Sequence, residues 1–193
     1  MGYFKQDMEV WFGTNDWEPM DDFTFWRKTA VQFLVNPGVM AVAMHRMARW
    51  LYEKNLIFPS QVMDRLTEFF TGAQIPGQTE IGPGFRVYHP NGLVISPCSK
   101  LGKNACVHSD VVFGKSMGDW RIEAPIIGDD VTLGTGVKLL GQITLGSRVM
   151  VGANSVVLQD LPDDCIAAGI PAKVLKRTAP DAADVEESAS ASN

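Results

Sequence analysis

Residues 127–157 read IGDDVTLGTGVKLLGQITLGSRVMVGANSVV, and their spacing decides the fold. An aliphatic side chain returns at every sixth position, at Ile127, Leu133, Leu139, Leu145, Val151 and Val157, with glycine next to most of them. A second small or β-branched residue follows four positions later, at Val131, Val137, Ile143, Val149 and Ser155. A period of six fits neither the 3.6-residue turn of a helix nor the simple alternation of a half-buried strand. Short strands that turn every six residues stack into coils, about eighteen residues to a three-sided coil. The aliphatic residue then fills a narrow triangular core, and the glycine beside it relieves the backbone at the corner.

The register extends upstream through Ile81, Val87, Ile95, Leu101, Val107 and Phe113. It is broken by two extra residues within 88–94 and by a longer interruption at 115–126, both read as loops projecting from the coil. Residues 1–73 read as a helical region. Asp21, Asp22 and Thr24 offer caps for a helix that Asn36-Pro37-Gly38 ends. A second helix over about 38–54 carries the stripe Val39, Val42, Ala43, Met47, Trp50 and Leu51, expected to bury one face against the end of the coil. A third runs from Pro59-Ser60 to Phe70 and stops at Gly72. The predicted organisation is mainly β: a β-helix over 74–177 after the small α-helical region, then an acidic tail, 178–193, too poor in apolar residues to order.

Charge narrows the function. Of the formal net charge of −5, four negative charges come from Asp181, Asp184, Glu186 and Glu187 in a tail without Lys or Arg, leaving a body near −1. Such a body has no basic field for nucleic acid. Cys98, Cys106 and Cys165 share no CxxC spacing and leave an odd thiol, which fits a reducing cytoplasm better than a disulfide or zinc framework. The most apolar run, 33–44, is interrupted by Asn36-Pro37-Gly38 and falls short of a bilayer span, so membrane contact is limited to a peripheral one.

The segments VMVGANSVV at 149–157, Leu161-Pro162 and AGIPAKV at 168–174 resemble the hexapeptide-repeat acyltransferases. YHPNGLVI at 88–95 is similar to the serine acetyltransferase branch, which includes acetyltransferases of colanic acid and other polysaccharide biosynthesis. The resemblance implies a left-handed parallel β-helix, homotrimers, acetyl-CoA as donor, no metal, and active sites between neighbouring subunits. Acetyl transfer from a thioester to a hydroxyl needs a base near neutral pH, and His89, at the two-residue insertion, is the candidate. His108 and His45 lack a matching motif and read as structural. A carbonic anhydrase on the same coil needs three histidine ligands, and the repeat holds two.

Departures from the branch shape the acceptor expectation. Its second catalytic histidine lies in an Arg-His-Pro segment, where this sequence has Glu123-Ala124-Pro125. An amino-acid carboxylate calls for a cation, and Glu123 in place of the arginine repels serine rather than binding it unless Arg121 compensates. The Asp before the first histidine is Tyr88, and the carboxylate that orients it aligns with Gln74, which accepts a hydrogen bond but adds no charge; Glu80 and Glu123 are the alternatives. Family members devoted to sugars often close the loop with Ala-Pro, and Trp120 offers a face for a pyranose. Tyr88, Trp120, Arg121 and Glu123 are therefore the expected acceptor-binding residues. The resemblance points to Gly114, Gly134, Thr135 and Ala153 for the pantetheine groove and Lys173, assisted by Lys176 or Arg177, for a CoA phosphate. The leading expectation is O-acetylation of a sugar hydroxyl in a glycan precursor or polysaccharide. Acetylation of serine or another small hydroxylated metabolite is the alternative, and a non-catalytic β-helical scaffold the second.

Overall fold

The computed structural model describes residues 3–12, 21–114 and 124–178. Residues 115–123 of the expected projecting loop, and the tail from 179 on, lie outside the described residues. Four helices come first: α1 (Phe4–Phe12), α2 (Asp22–Val35), α3 (Pro37–Glu53) and α4 (Ile57–Thr71). Local chemistry sets their ends. The Asp21 carboxylate accepts the Thr24 N–H at 3.2 Å to start α2. The Asn36 side chain accepts from Gly38 and Val39 to start α3, whose first residue is Pro37. Gly72, at φ 72°, takes the left-handed turn that ends α4. Helix α4 begins earlier than Pro59, because proline is tolerated within a first turn.

α3 is rotated from the expected stripe. Its buried residues are Gly38, Val39, Ala41, Val42, His45, Arg46 and Ala48, whereas Trp50 is exposed. The reason is close approach: a Cβ on Gly38 would sit 2.0 Å from the Val87 carbonyl oxygen, so the face against the coil must be small. Ala43 and Met47 of the stripe instead line, with Met40 and Met44, an apolar groove of about 790 Å³ between α2, α3 and α4.

Strands β1 (Glu80–Ile81), β3 (Lys100–Leu101), β6 (Ile126–Ile127) and β9 (Thr144–Leu145) form one parallel sheet. A second runs through β2 (Arg86–Val87), β4 (Cys106–Val107), β7 (Thr132–Leu133), β10 (Met150–Val151) and β12 (Cys165–Gly169). The third contains β5 (Val112–Gly114), β8 (Lys138–Leu140) and β11 (Val156–Val157). These are the three sides of the coil. β13 (Ala172–Arg177) folds back antiparallel on β12 and closes the last turn.

The sixth-residue aliphatics point inward: Val87, Val107, Leu133, Val151 and Ala167 lie in register on one side, each nearly fully buried. Every such large side chain contributes about 1.5–3 kcal/mol by leaving water. Corners take left-handed backbone, with Asn104, Asp110, Asp130 and Asn154 at φ 56–57°, where their short polar side chains lower the cost. The coil's first turn is sealed by α1 and α3, Asp7 of α1 accepting the backbone N–H groups of Gly84 and Phe85 at 2.8 and 3.0 Å.

Candidate active site

His89 follows β2 and Tyr88 at a left-handed corner, φ 56°, and its side chain is solvent-exposed. It shares this backbone with the Asn and Asp corners of the coil, but is followed by Pro90, which belongs to the inserted turn. The residue after each inward-facing core residue points outward, so register builds a column of Tyr88, His108, Gly134, Gly152 and Ala168 up one side of the coil. The His108 ring stacks on Tyr88 with centroids 5.3 Å apart and planes at 27°, and Trp11 from α1 packs on Tyr88 at 5.0 Å. Burial, then the charge of His89, pushes the His108 imidazole below its ordinary range, so it is uncharged at neutral pH. His108, set aside in the sequence as structural, thus stands within electrostatic reach of His89. An outward position beside the repeat carries no periodic signal that would have marked it.

Above His108 the column is bare. A Cβ on Gly134 would sit 2.8 Å from the Ala153 backbone nitrogen, and one on Gly152 would meet Ala168 Cβ at 3.0 Å. Thr135 accepts the Asn154 N–H at 2.8 Å, which brings Gly134, Thr135 and Ala153 together on adjacent coils. Ala168 pairs with Lys173 across the terminal hairpin, placing the exposed lysine at the top of the same column. Sheet strands are about 4.8 Å apart, so the four steps from Tyr88 to Ala168 span about 19 Å. Gly114 stands apart, on the third sheet beside Leu140. Lys176 and Arg177 continue β13 opposite Ile166 and Cys165.

Gln74 is exposed and forms a bridge with Val94. Its amide donates to Glu68 at 2.7 Å, and that bond, with a further one from Arg65, holds the Glu68 carboxyl below its ordinary range. Among the described residues no hydrogen bond joins Gln74, or any carboxylate, to His89. Glu80 is taken up by Lys100 at 3.1 Å on the first sheet. Trp120, Arg121 and Glu123 lie outside the described residues. No three His, Cys, Asp or Glu side chains come together as a metal-binding group among the described residues, and none of the described helices is long and apolar enough to cross a membrane.

Comparison with known proteins places these features. Residues 124–159 match the bacterial transferase hexapeptide (six repeats) model. Serine acetyltransferase from Bacillus licheniformis is 33% identical over 171 residues, covering 89% of this chain and 76% of that protein. Serine acetyltransferase from Synechococcus elongatus is 34% identical over 145 residues, 75% of this chain; the alignment spans 59% of that protein, less than two thirds of it. Among solved structures, Brucella abortus serine acetyltransferase in complex with coenzyme A superimposes with a TM-score of 0.79 at 22% identity, over 93% of this chain and 69% of that one. The coil is accordingly a left-handed β-helix. The expectation of a sugar or polysaccharide acceptor is overturned by these likenesses, which favour the serine alternative. That expectation rested on one loop, whose Trp120 and Glu123 give no geometry here, whereas the similarity extends over most of the chain.

Proposed function

The chain belongs to the serine acetyltransferase branch of the hexapeptide-repeat transferases, and from that premise we propose that it transfers acetyl from acetyl-CoA to the hydroxyl of serine. The observation that carries the reading is the outward column: a histidine corner at its foot, a bare strip that any side chain would fill, and at its top a lysine one strand beyond Ala168, about 24 Å from Tyr88. Acetyl-CoA supplies an activated acyl group on a thiolate leaving group. His89 takes the acceptor's hydroxyl proton as its oxygen bonds to the acyl carbon, and returns that proton to the departing sulfur, so products are the ester and the free thiol. Gly134, Thr135 and Ala153 line the pantetheine arm, and Lys173 meets a phosphate. The assembly proposed is a homotrimer with sites between subunits, which sedimentation would test.

Thiol release from acetyl-CoA in the presence of L-serine is the direct assay. Release that depends on serine supports the reading; its absence in a chain that binds CoA overturns it. A second reading, a CoA-binding scaffold without turnover, has one observation in its favour: His89 has no orienting carboxylate bonded to it among the described residues. The same assay separates the two.

A further inference from the structure

Thr29 of α2 carries a hydroxyl that its surroundings leave unanswered. The residue is 4% exposed, and its Oγ1 is sealed by the protein with no hydrogen-bond partner among the described residues. The contrast within the chain is direct: Thr67 and Thr71 of α4 return their hydroxyls to the Met63 and Thr67 carbonyls at 2.9 and 2.6 Å, one turn back along the helix. Thr29 makes no such return to Phe25. It lines the apolar groove between α2, α3 and α4, on the helix face it shares with Trp26, three residues before it, and Phe33, four after. Native proteins keep an unpaired buried polar group chiefly where something else completes it.

The rest of the lining is almost wholly hydrocarbon and thioether. Met40, Met44 and Met47 of α3 and Met63 of α4 take part in it, unbranched side chains that repack around occupants of different length. Trp26, Leu34 and Phe70 also line the groove and are exposed, so it opens to solvent and a dissolved molecule has a way in. Its volume of about 790 Å³ falls within the range of about 300–1,000 Å³ that single small ligands occupy. Arg46 is the one charged residue of the lining, and its donors are taken by Asp7 and by the Ile81 and Gly82 carbonyls. An anion entering here would lose its water without gaining a free cation. No lining residue belongs to the outward column from Tyr88 to Ala168, so the groove is separate from the candidate active site.

We propose that this groove binds one uncharged single-chain lipid, its hydrocarbon tail against the methionines and its hydroxyl or ester carbonyl hydrogen-bonded to Thr29. An oxygen at the head of the chain answers the one polar group of the lining that lacks a partner. Each methylene withdrawn from water strengthens such binding about fourfold. A helix from a second copy of the chain would cover the same apolar surface, but its backbone is already bonded to itself and leaves the Thr29 hydroxyl unmet. A fatty-acid anion is disfavoured because the only guanidinium in reach is spoken for.

The test is calorimetric titration of the full chain with 1-decanol, 1-decanoylglycerol and, as the charged counterpart, decanoate at a pH where it is ionised. One equivalent of either neutral probe should bind per chain, and more tightly than decanoate. Thr29→Val keeps the shape and drops the hydroxyl; it should weaken decanol about 2- to 12-fold and leave thermal stability at least as high, since no unpaired group is then buried. Ala43→Phe should block binding by filling the groove, and Ala30→Trp repeats that test from α2 if the first variant does not fold. Absence of binding by both neutral probes up to their solubility overturns the proposal. Tighter binding of decanoate overturns it too, as does decanol binding that Thr29→Val or the filling variants leave intact. Without decanol binding, co-sedimentation with phosphatidylcholine vesicles assigns the groove to a membrane surface. Concentration-dependent self-association that Ala43→Phe abolishes, again without decanol binding, assigns it to a contact between copies. Either result overturns the lipid site.

Discussion

Arg46 grips Asp7 with two nitrogens, Nε at 2.8 Å and Nη2 at 3.0 Å, in a pair almost wholly withdrawn from solvent. Its remaining donors reach the carbonyls of Ile81 and Gly82, at 2.6 and 2.7 Å, while Asp7 accepts from Gly84 and Phe85. One ion pair therefore ties α1, α3 and the first turn of the coil together. Removing one partner leaves the other charged and buried, so Asp7→Ala should cost about 3–5 kcal/mol in denaturant unfolding. The double change Asp7→Ala with Arg46→Met should cost less than the sum of the two single changes, because no unpaired charge is left buried, although the Gly84 and Phe85 N–H groups still lose their acceptor. Additive losses in this cycle would show that the two side chains act independently.

A buried imidazole gives the fold a distinct acid sensitivity. His45 is fully buried, with Nδ1 3.3 Å from the Ile75 carbonyl oxygen. Burial first, then the charges of Arg46 and Arg49, lowers its pKa from 6.5 to about 3. The sign follows from which state takes the proton. Between 6.5 and about 3 the unfolded chain protonates His45 and the folded chain does not, so acid favours unfolding. The contribution is fully present above pH 6.5 and declines as pH falls, by up to about 1.4 kcal/mol per unit. Subtracting the pH–stability profile of His45→Gln from that of the wild type isolates it; parallel profiles would remove His45 as the cause.

The coil was legible because its core repeats: an aliphatic side chain every sixth residue leaves few alternatives, and the three sheets pair these positions one above another. Helix ends were legible where a cap is local, as at Asp21 and Asn36. α1 was not foreseen, since what anchors it is Asp7 meeting Arg46 and Gly84, partners 39 and 77 residues away. The face of α3 was read only in part, with Val39 and Val42 buried as expected and Trp50 exposed, for a related reason. Hydrophobicity marks large residues, but the coil admits only small ones beside Val87. His89 could be singled out by its insertion and by resemblance, whereas His108 becomes visible only when register sets its strand beside that of Tyr88. The acceptor was misjudged from the loop alone.

His89→Ala should reduce acetyl transfer by about 10²–10⁴-fold, the usual worth of a positioned base. The coil's core should be unaffected, because His89 is exposed and, among the described residues, makes no hydrogen bond that holds the turn. Unchanged CoA affinity in calorimetry, with thiol release lost, is the expected pair of results. Wild-type turnover would remove His89 from the chemistry.

Lys173 tests the far end of the column. Exposed and opposite Ala168 on the closing hairpin, it has no acidic partner among the described residues that would make it structural. A solvated lysine contributes to binding only if an anion comes to it, and an exposed charge pair is worth about 0.2–1 kcal/mol. Lys173→Ala should therefore weaken CoA binding by only about two- to fivefold at low salt, with the difference shrinking as salt screens the pair. Acetylated pantetheine, which carries no phosphate, should bind the variant and the wild type alike. If both donors lose affinity equally, Lys173 acts on the hairpin rather than on a phosphate, and the direction of the arm along Gly134, Gly152 and Ala168 loses its anchor.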